Sequence, residues 1–228
     1  MGAPIGAEAI RQGKSMRIRT PLLVLLGSLL GFAFVAALVT YFPRADQFNG
    51  TVFDPPARAT DFNLRTADGS SFQISDQIGK VVLIFFGYTN CPDVCPVTLN
   101  DFRSIEEILG EEADGVELVM VTVDPARDTP EVIDEYVRRF SPKIIGLSGT
   151  EEELLEIWKG YFVYRAIEGP DSATAVAGAG DLAVPAGYLV DHTVRVYIVD
   201  KAGNLRLSYP FAAGAELIAS DVRQLLRE

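Results

Sequence analysis

Cysteine, histidine and methionine are scarce in this chain: two, one and three among 228 residues. A disulfide-stapled miniprotein, which takes several cysteine pairs, is excluded by that count. A zinc ribbon needs four Cys or His ligands, and the chain has three such residues in all. Positive charge is short as well. Lys and Arg number 20 against 31 Asp and Glu, for a net charge of −11 and a pI near 4.6. General nucleic-acid binding, which needs a basic face, is excluded on that ground. No internal repeat is present. Apolar residues are plentiful: 48% hydrophobic content with 22% charged residues is enough to bury a core and excludes disorder of the bulk. The length suits one domain with an appendage.

The charge is unevenly spread. Residues 1–42 hold Glu8 against Arg11, Lys14, Arg17 and Arg19, so the acidic excess lies entirely in the remainder. Between Arg19 and Arg44 no residue is charged, and Pro21 to Phe42 reads PLLVLLGSLLGFAFVAALVTYF. A bilayer core takes about 20 helical residues. A soluble helix would carry a polar stripe, and a signal-peptide core is shorter, about 7–15 residues. The run is therefore read as an uncleaved transmembrane anchor over 21–42, behind a short basic cytoplasmic tail over 1–20. The basic residues before the span keep the N-terminus cytoplasmic. The tail lacks the longer Arg- and Ser-rich presequence of imported mitochondrial proteins. The expectation is a single-pass protein of the bacterial inner membrane with its C-terminal domain in the periplasm. In such an oxidising compartment a cysteine pair is structural, kept reduced by a partner, or metal-bound.

Residues 43–60 have no period and hold three prolines, and read as a stalk. Residues 61–228 read as one domain. Asp61 to Ile74 has the pattern of a short hairpin turning at Asp68-Gly69. Val81 to Tyr88 (VVLIFFGY) and Glu117 to Val123 (ELVMVTV) are apolar runs of strand length, suited to strands covered on both faces. Helical spacing from about Pro96 to Leu109 separates them. Thr129-Pro130-Glu131 is a helix start, and that helix runs to about Phe140. Lys143 to Leu147 reads as a strand. Thr150 to Glu153 is a capping box opening a helix to about Gly160. Tyr161 to Ile167 reads as a strand, and 168–187, with six Ala, four Gly and two Pro, as loop. Val194–Val199 and Leu205–Tyr209 form a hairpin, and Ala215 to Leu226 an amphipathic helix. The order describes an α/β protein with a mixed β-sheet flanked by helices, compatible with a thioredoxin-like fold.

Cys91 and Cys95 stand in Thr89-Asn90-Cys91-Pro92-Asp93-Val94-Cys95-Pro96, between a buried strand and a helix. At helical spacing i and i+4 share a face, so both sulfurs can converge, and a helix N-terminus favours thiolate. The pair suits either a dithiol/disulfide couple or a two-thiolate clamp for a soft metal. A purely structural bridge would close too small a loop to contribute much. His192, the only histidine, sits just before a strand, and periodicity does not place it near Cys91. If it meets the sulfurs, two thiolates and an imidazole suit copper, as Cu(I) or Cu(II). Asp191 alternates with His192 along a strand and points the other way. The methionines form no copper-binding cluster, and Met120 reads as core. Asp124, Arg127 and Asp128, leading into Thr129, read as a structural loop tied by charge pairs.

These segments resemble the Sco/SenC family. Phe86-Gly87-Tyr88-Thr89-Asn90-Cys91-Pro92-Asp93-Val94-Cys95-Pro96 is similar to its signature, as are Val123 to Pro130, Phe140-Ser141-Pro142-Lys143, Gly146 to Thr150 and Val190-Asp191-His192-Thr193. The resemblance spans about residues 60–210 in order. It implies a thioredoxin-like domain outside an energy-transducing membrane. It also implies copper held by Cys91, Cys95 and His192, and a role in assembling the dinuclear copper centre of cytochrome c oxidase subunit II. Another copper chaperone as donor and a thioredoxin-like reductant are further expected partners. The family usually carries His where Asn90 stands, a position outside the three ligands, and 168–187 looks longer than the family norm, as a tolerated surface insertion would.

Two other functions compete with that of a metal-transfer protein that is not an enzyme in the turnover sense. One is a thiol-disulfide oxidoreductase, in which Cys91 and Cys95 are redox active and His192 is dispensable. Three residues between the cysteines, instead of the usual two, count against it. The other is a peroxidase-like variant, which needs a low-pKa Cys beside an arginine. The sequence does not place Arg138, Arg139 or Arg165.

Overall fold

The computed structural model of the chain describes residues 19–41, 48–168 and 188–228. Two compact units are formed, Met1–Gln47 and Phe48–Glu228. In the first, the uncharged run is one helix, α1 (Arg19–Tyr41). Counted over the described residues alone, no helix is long and apolar enough to cross a membrane, so the anchor stands as a proposal. Of the tail read over 1–20, residues 1–18 lie outside the described residues, as do residues 169–187 of the stretch 168–187 read as loop.

The second unit is built on a six-stranded sheet in the order β1 (Thr51–Arg58), β10 (Asn204–Pro210), β9 (Arg195–Val199), β4 (Val81–Gly87), β5 (Val116–Thr122) and β6 (Ile144–Leu147). Its centre is β4, buried at every position as its unbroken apolar run predicts. β5 and β6 continue it in parallel. β9 runs antiparallel on its other side, followed by β10. The crossovers are α2 (Val94–Leu109) and α3 (Pro130–Arg138), and α4 (Glu151–Gly160) follows β6. Two of these helix starts form as the sequence predicts. The Thr129 side chain accepts from Val132 N ahead of Pro130, and Thr150 and Glu153 close a reciprocal capping box. The C-terminal helix α5 (Ala215–Arg227) packs along α2.

The faces of β4 divide the core. Phe85 and Gly87 face α2, where an added Gly87 Cβ would meet the Phe85 ring and Cys95 Sγ. Phe86 faces Tyr161 and Tyr197, at ring separations of 5.4 and 5.9 Å. The hairpin of β2 (Asn63–Arg65) and β3 (Ser71–Gln73) closes that side through Phe62, 6.2 Å from Tyr161. Met120 is fully buried, as expected.

Two elements differ from the sequence reading. Within the 43–60 stretch read as stalk, Thr51–Arg58 is a strand, β1, paired antiparallel with β10. It is an edge strand exposed along nearly its whole length, so it has no apolar alternation to read. Pro55 and Pro56 are tolerated because an edge strand needs ladder donors on one side only. The second is a separate two-stranded ribbon of β7 (Arg165–Glu168) and β8 (Leu189–His192). β7 starts later than the Tyr161–Ile167 strand expected and takes in Glu168.

Candidate metal centre

The site lies where β4 ends. The chain leaves Gly87 and runs through Tyr88, Thr89 and Asn90 to Cys91. It enters α2 so that Cys95 falls in the first turn. Thr89 is pinned by the buried Asp128, which accepts from its backbone N at 3.1 Å and its hydroxyl at 2.6 Å, and from Thr122 Oγ1 at 2.7 Å. Burial raises the pKa of Asp128 against these bonds. Gly87 is required here: an added Cβ would lie 2.6 Å from Phe85 Cε1 and 2.9 Å from Cys95 Sγ.

His192 arrives from the far side of the chain, on β8. Its burial alternates with that of its neighbours: Val190 and His192 inward, Leu189 and Asp191 outward. Asp191 therefore points away, as expected. The ring sits between Phe85, with centroids 6.4 Å apart, and Tyr88, at 5.8 Å and nearly perpendicular. Nε2 is 4.0 Å from Cys95 Sγ, and Nδ1 is 3.1 Å from Thr193 O. Ligand atoms of Cys91, Cys95 and His192 all lie within 4.8 Å of one another, and all three residues are buried. The two cysteines are free thiols. The structure thus brings together the three residues that spacing alone left apart.

Electrostatics split the thiols. The hydrogen bond from Cys95 holds the Cys91 pKa well below the thiol range, helped by His192 and backbone N–H groups and opposed by burial. The same bond, with burial and the Cys91 charge, pushes Cys95 far up. The two shifts run in opposite directions and favour the charge on Cys91 over Cys95. Two soft sulfurs and an imidazole form a three-donor set that suits copper.

The other singled-out residues fall nearby or elsewhere. Asp124 pairs with Arg127 through Nε, as the structural reading of that loop held. Asp128 makes hydrogen bonds rather than a charge pair. Arg138 and Arg139 pair with Asp134 and Glu135 on α3. Arg165 holds Val123 O and Glu151. The sequence reading missed Tyr88, whose ring faces His192 and whose hydroxyl accepts from Val190 N at 3.3 Å. It also missed Tyr188. Tyr88 directly precedes Thr89 and Tyr188 lies two residues before Val190, and that proximity to the motifs is the available signal.

The model of the SCO1/SenC family matches residues 53–227. The chain belongs to that family. SenC of Rhodobacter capsulatus is 34% identical over 193 residues, covering 82% of this chain and 81% of its own. An SCO2-like protein of Rickettsia prowazekii is 32% identical over 81% of this chain and 86% of its own. Among solved structures, apo Sco1 of Thermus thermophilus matches with a TM-score of 0.66 at 34% identity, over 80% of this chain and 99% of that one. Copper-bound ScoI of Bradyrhizobium japonicum matches with a TM-score of 0.61 at 32% identity, over 74% of this chain and 99% of that one. The thioredoxin-like mixed sheet expected from the sequence is the fold of this SCO1/SenC domain.

Proposed function

We propose that the chain is a membrane-anchored copper metallochaperone whose cargo, as Cu(I) or Cu(II), is held by Cys91, Cys95 and His192. The observation that carries this reading is the convergence of two buried cysteine sulfurs and a buried imidazole within 4.8 Å. Copper in a relative of the same fold at 32% identity supports the choice of metal. The lowered pKa of Cys91 favours thiolate, the species that ligates. Three protein donors leave a coordination position open, so incoming partner thiolates can share the ion before Cys91 and Cys95 release it. The family resemblance makes the cysteines of cytochrome c oxidase subunit II the proposed acceptor, with another copper chaperone as donor. α1 is the proposed anchor and the periplasm the proposed compartment.

The low-pKa Cys91 beside a protonated Cys95 favours a second reading, reduction of a partner disulfide. Cys91 would attack, Cys95 would resolve, and a thioredoxin-like reductant would restore the dithiol. Anaerobic Cu(I) titration of the reduced, detergent-solubilised chain against a competing chelator separates the two. The metallochaperone binds one equivalent tightly, weakens in His192→Ala, and loses binding when either cysteine becomes Ala. Weak binding that ignores His192 favours the reductase.

A further inference from the structure

β8 carries the third donor, yet it is not part of the six-stranded sheet and pairs only with β7. Ladder bonds to the core therefore do not hold His192 over the cysteines; the short connection to β9 fixes one end of β8, and side chains hold the rest. Both strands of the ribbon are tied to the two residues that follow β5. From β7, Arg165 Nε donates to Val123 O. At the start of β8, Tyr188 is gripped at three points. Its hydroxyl donates to Asp124 Oδ1. Its carbonyl accepts from Arg127 Nη1 at 3.0 Å. Its ring lies under the Arg127 guanidinium, 3.6 Å from Cζ to the ring centroid. Asp124 in turn holds Arg127 through Nε. The same guanidinium lies 5.8 Å from the Tyr88 ring, and Tyr88 both accepts from Val190 N and faces His192.

The Arg127 guanidinium thus lies over the rings of both tyrosines that hold β8. Its Nη2 is buried without a hydrogen-bond partner among the described residues. Leaving a buried N–H unpaired costs free energy, so a residue there merely to fill space would better be apolar. A planar cation that stacks on one face and donates along its edge accounts for the arginine.

We propose that Arg127 is a positioning residue for His192: clasping Tyr188, it sets the approach of β8 to the cysteines and so the availability of the third donor. The proposal rests on the copper-holding reading of the site. Opening the clasp leaves the Cys91–Cys95 pair in place and withdraws only the imidazole.

The test is a double-mutant cycle on the detergent-solubilised full chain, with Arg127→Met, His192→Ala and the two together. Outer residues that orient a ligand typically contribute about 10–100-fold in metal affinity. Arg127→Met is expected to lose Cu(I) affinity to the extent His192→Ala does, with the double variant no weaker than His192→Ala alone. An equal further loss in the His192→Ala background would show that Arg127 acts on the whole site, and overturns the proposal. So does an unchanged affinity in Arg127→Met. Metal-free NMR supplies a readout independent of copper: the ring contacts between His192 and Tyr88 are expected in the wild type and lost in Arg127→Met, and their persistence also overturns the proposal. If Arg127→Met does not fold, Tyr188→Leu removes the stack and the Asp124 bond instead and is held to the same outcomes. A wild type that binds no Cu(I) overturns the copper reading, while the ring contacts still decide the clasp.

Discussion

Two thiols at the mouth of one strand cannot ionise independently. The hydrogen bond that stabilises Cys91 as thiolate is the bond that keeps the proton on Cys95. A thiol whose folded pKa is depressed stays charged as pH falls through the ordinary thiol range, and the stability it contributes, full above that range, declines with falling pH and is gone below the folded value. In the reduced, metal-free chain, ultraviolet thiolate absorbance is expected to persist from neutral into acid pH with an amplitude of one thiolate. In Cys95→Ala the largest cause of the depression is gone, and Cys91 is expected to titrate at higher pH. Joint titration of both thiols in the ordinary range would overturn this asymmetry. The pairing itself was legible from the i, i+4 spacing. Which cysteine carries the charge was not, because that depends on Cys95 being fully buried under Gly87, a matter of packing that a local pattern does not encode.

At the scale of elements, the strands and helices with a strong period were legible: β4 from its apolar run, α3 and α4 from their caps, the β9–β10 hairpin from its turn. What was hidden lacks a period. β1 is an exposed edge with two prolines, and β8 is four residues long and joined to β7 across a chain separation no local pattern spans. β1 is nonetheless anchored. The buried carboxylate of Asp221 on α5 accepts from Asn49 N and Nδ2, each at 2.7 Å, from Gly50 N at 3.1 Å, and from the Tyr209 hydroxyl of β10. One side chain thus joins the start of β1 to the last helix and its neighbouring strand. Asp221→Ala leaves these donors without their acceptor. A lost partner costs about 1–3 kcal/mol for each buried group left unpaired, and Gly50 N and Asn49 lie close enough to water to recover part of it. A drop in unfolding free energy of about 2 kcal/mol is expected in urea. Limited proteolysis of the variant should cut within Thr51–Arg58 before the central sheet is attacked. Cleavage no faster there than in the wild type would mean that the β10 ladder alone holds β1.

Over the whole molecule, charge and apolarity are segregated along the chain. Four basic residues precede an uncharged segment, and beyond it the acidic excess dominates. The segment forms the 23-residue helix α1, the proposed anchor, although over the described residues no helix is long and apolar enough to cross a membrane. A dithiol site with free cysteines is a consequential thing to place outside the cytoplasm, since an oxidising compartment drives such a pair toward disulfide unless metal or a reductant occupies it. Orientation is therefore part of the proposed function: the basic residues before α1 are proposed to hold the N-terminus in the cytoplasm. Reporter fusions at the C-terminus in a bacterial host provide the measurement: a reporter active only in the periplasm is expected to work, and one active only in the cytoplasm to stay silent. Replacing Arg11, Lys14, Arg17 and Arg19 together by Gln should weaken that bias and lower the periplasmic signal. A cytoplasmic signal from the unaltered chain would remove the oxidising setting, and with it the argument that copper or a dedicated reductant must guard the two cysteines.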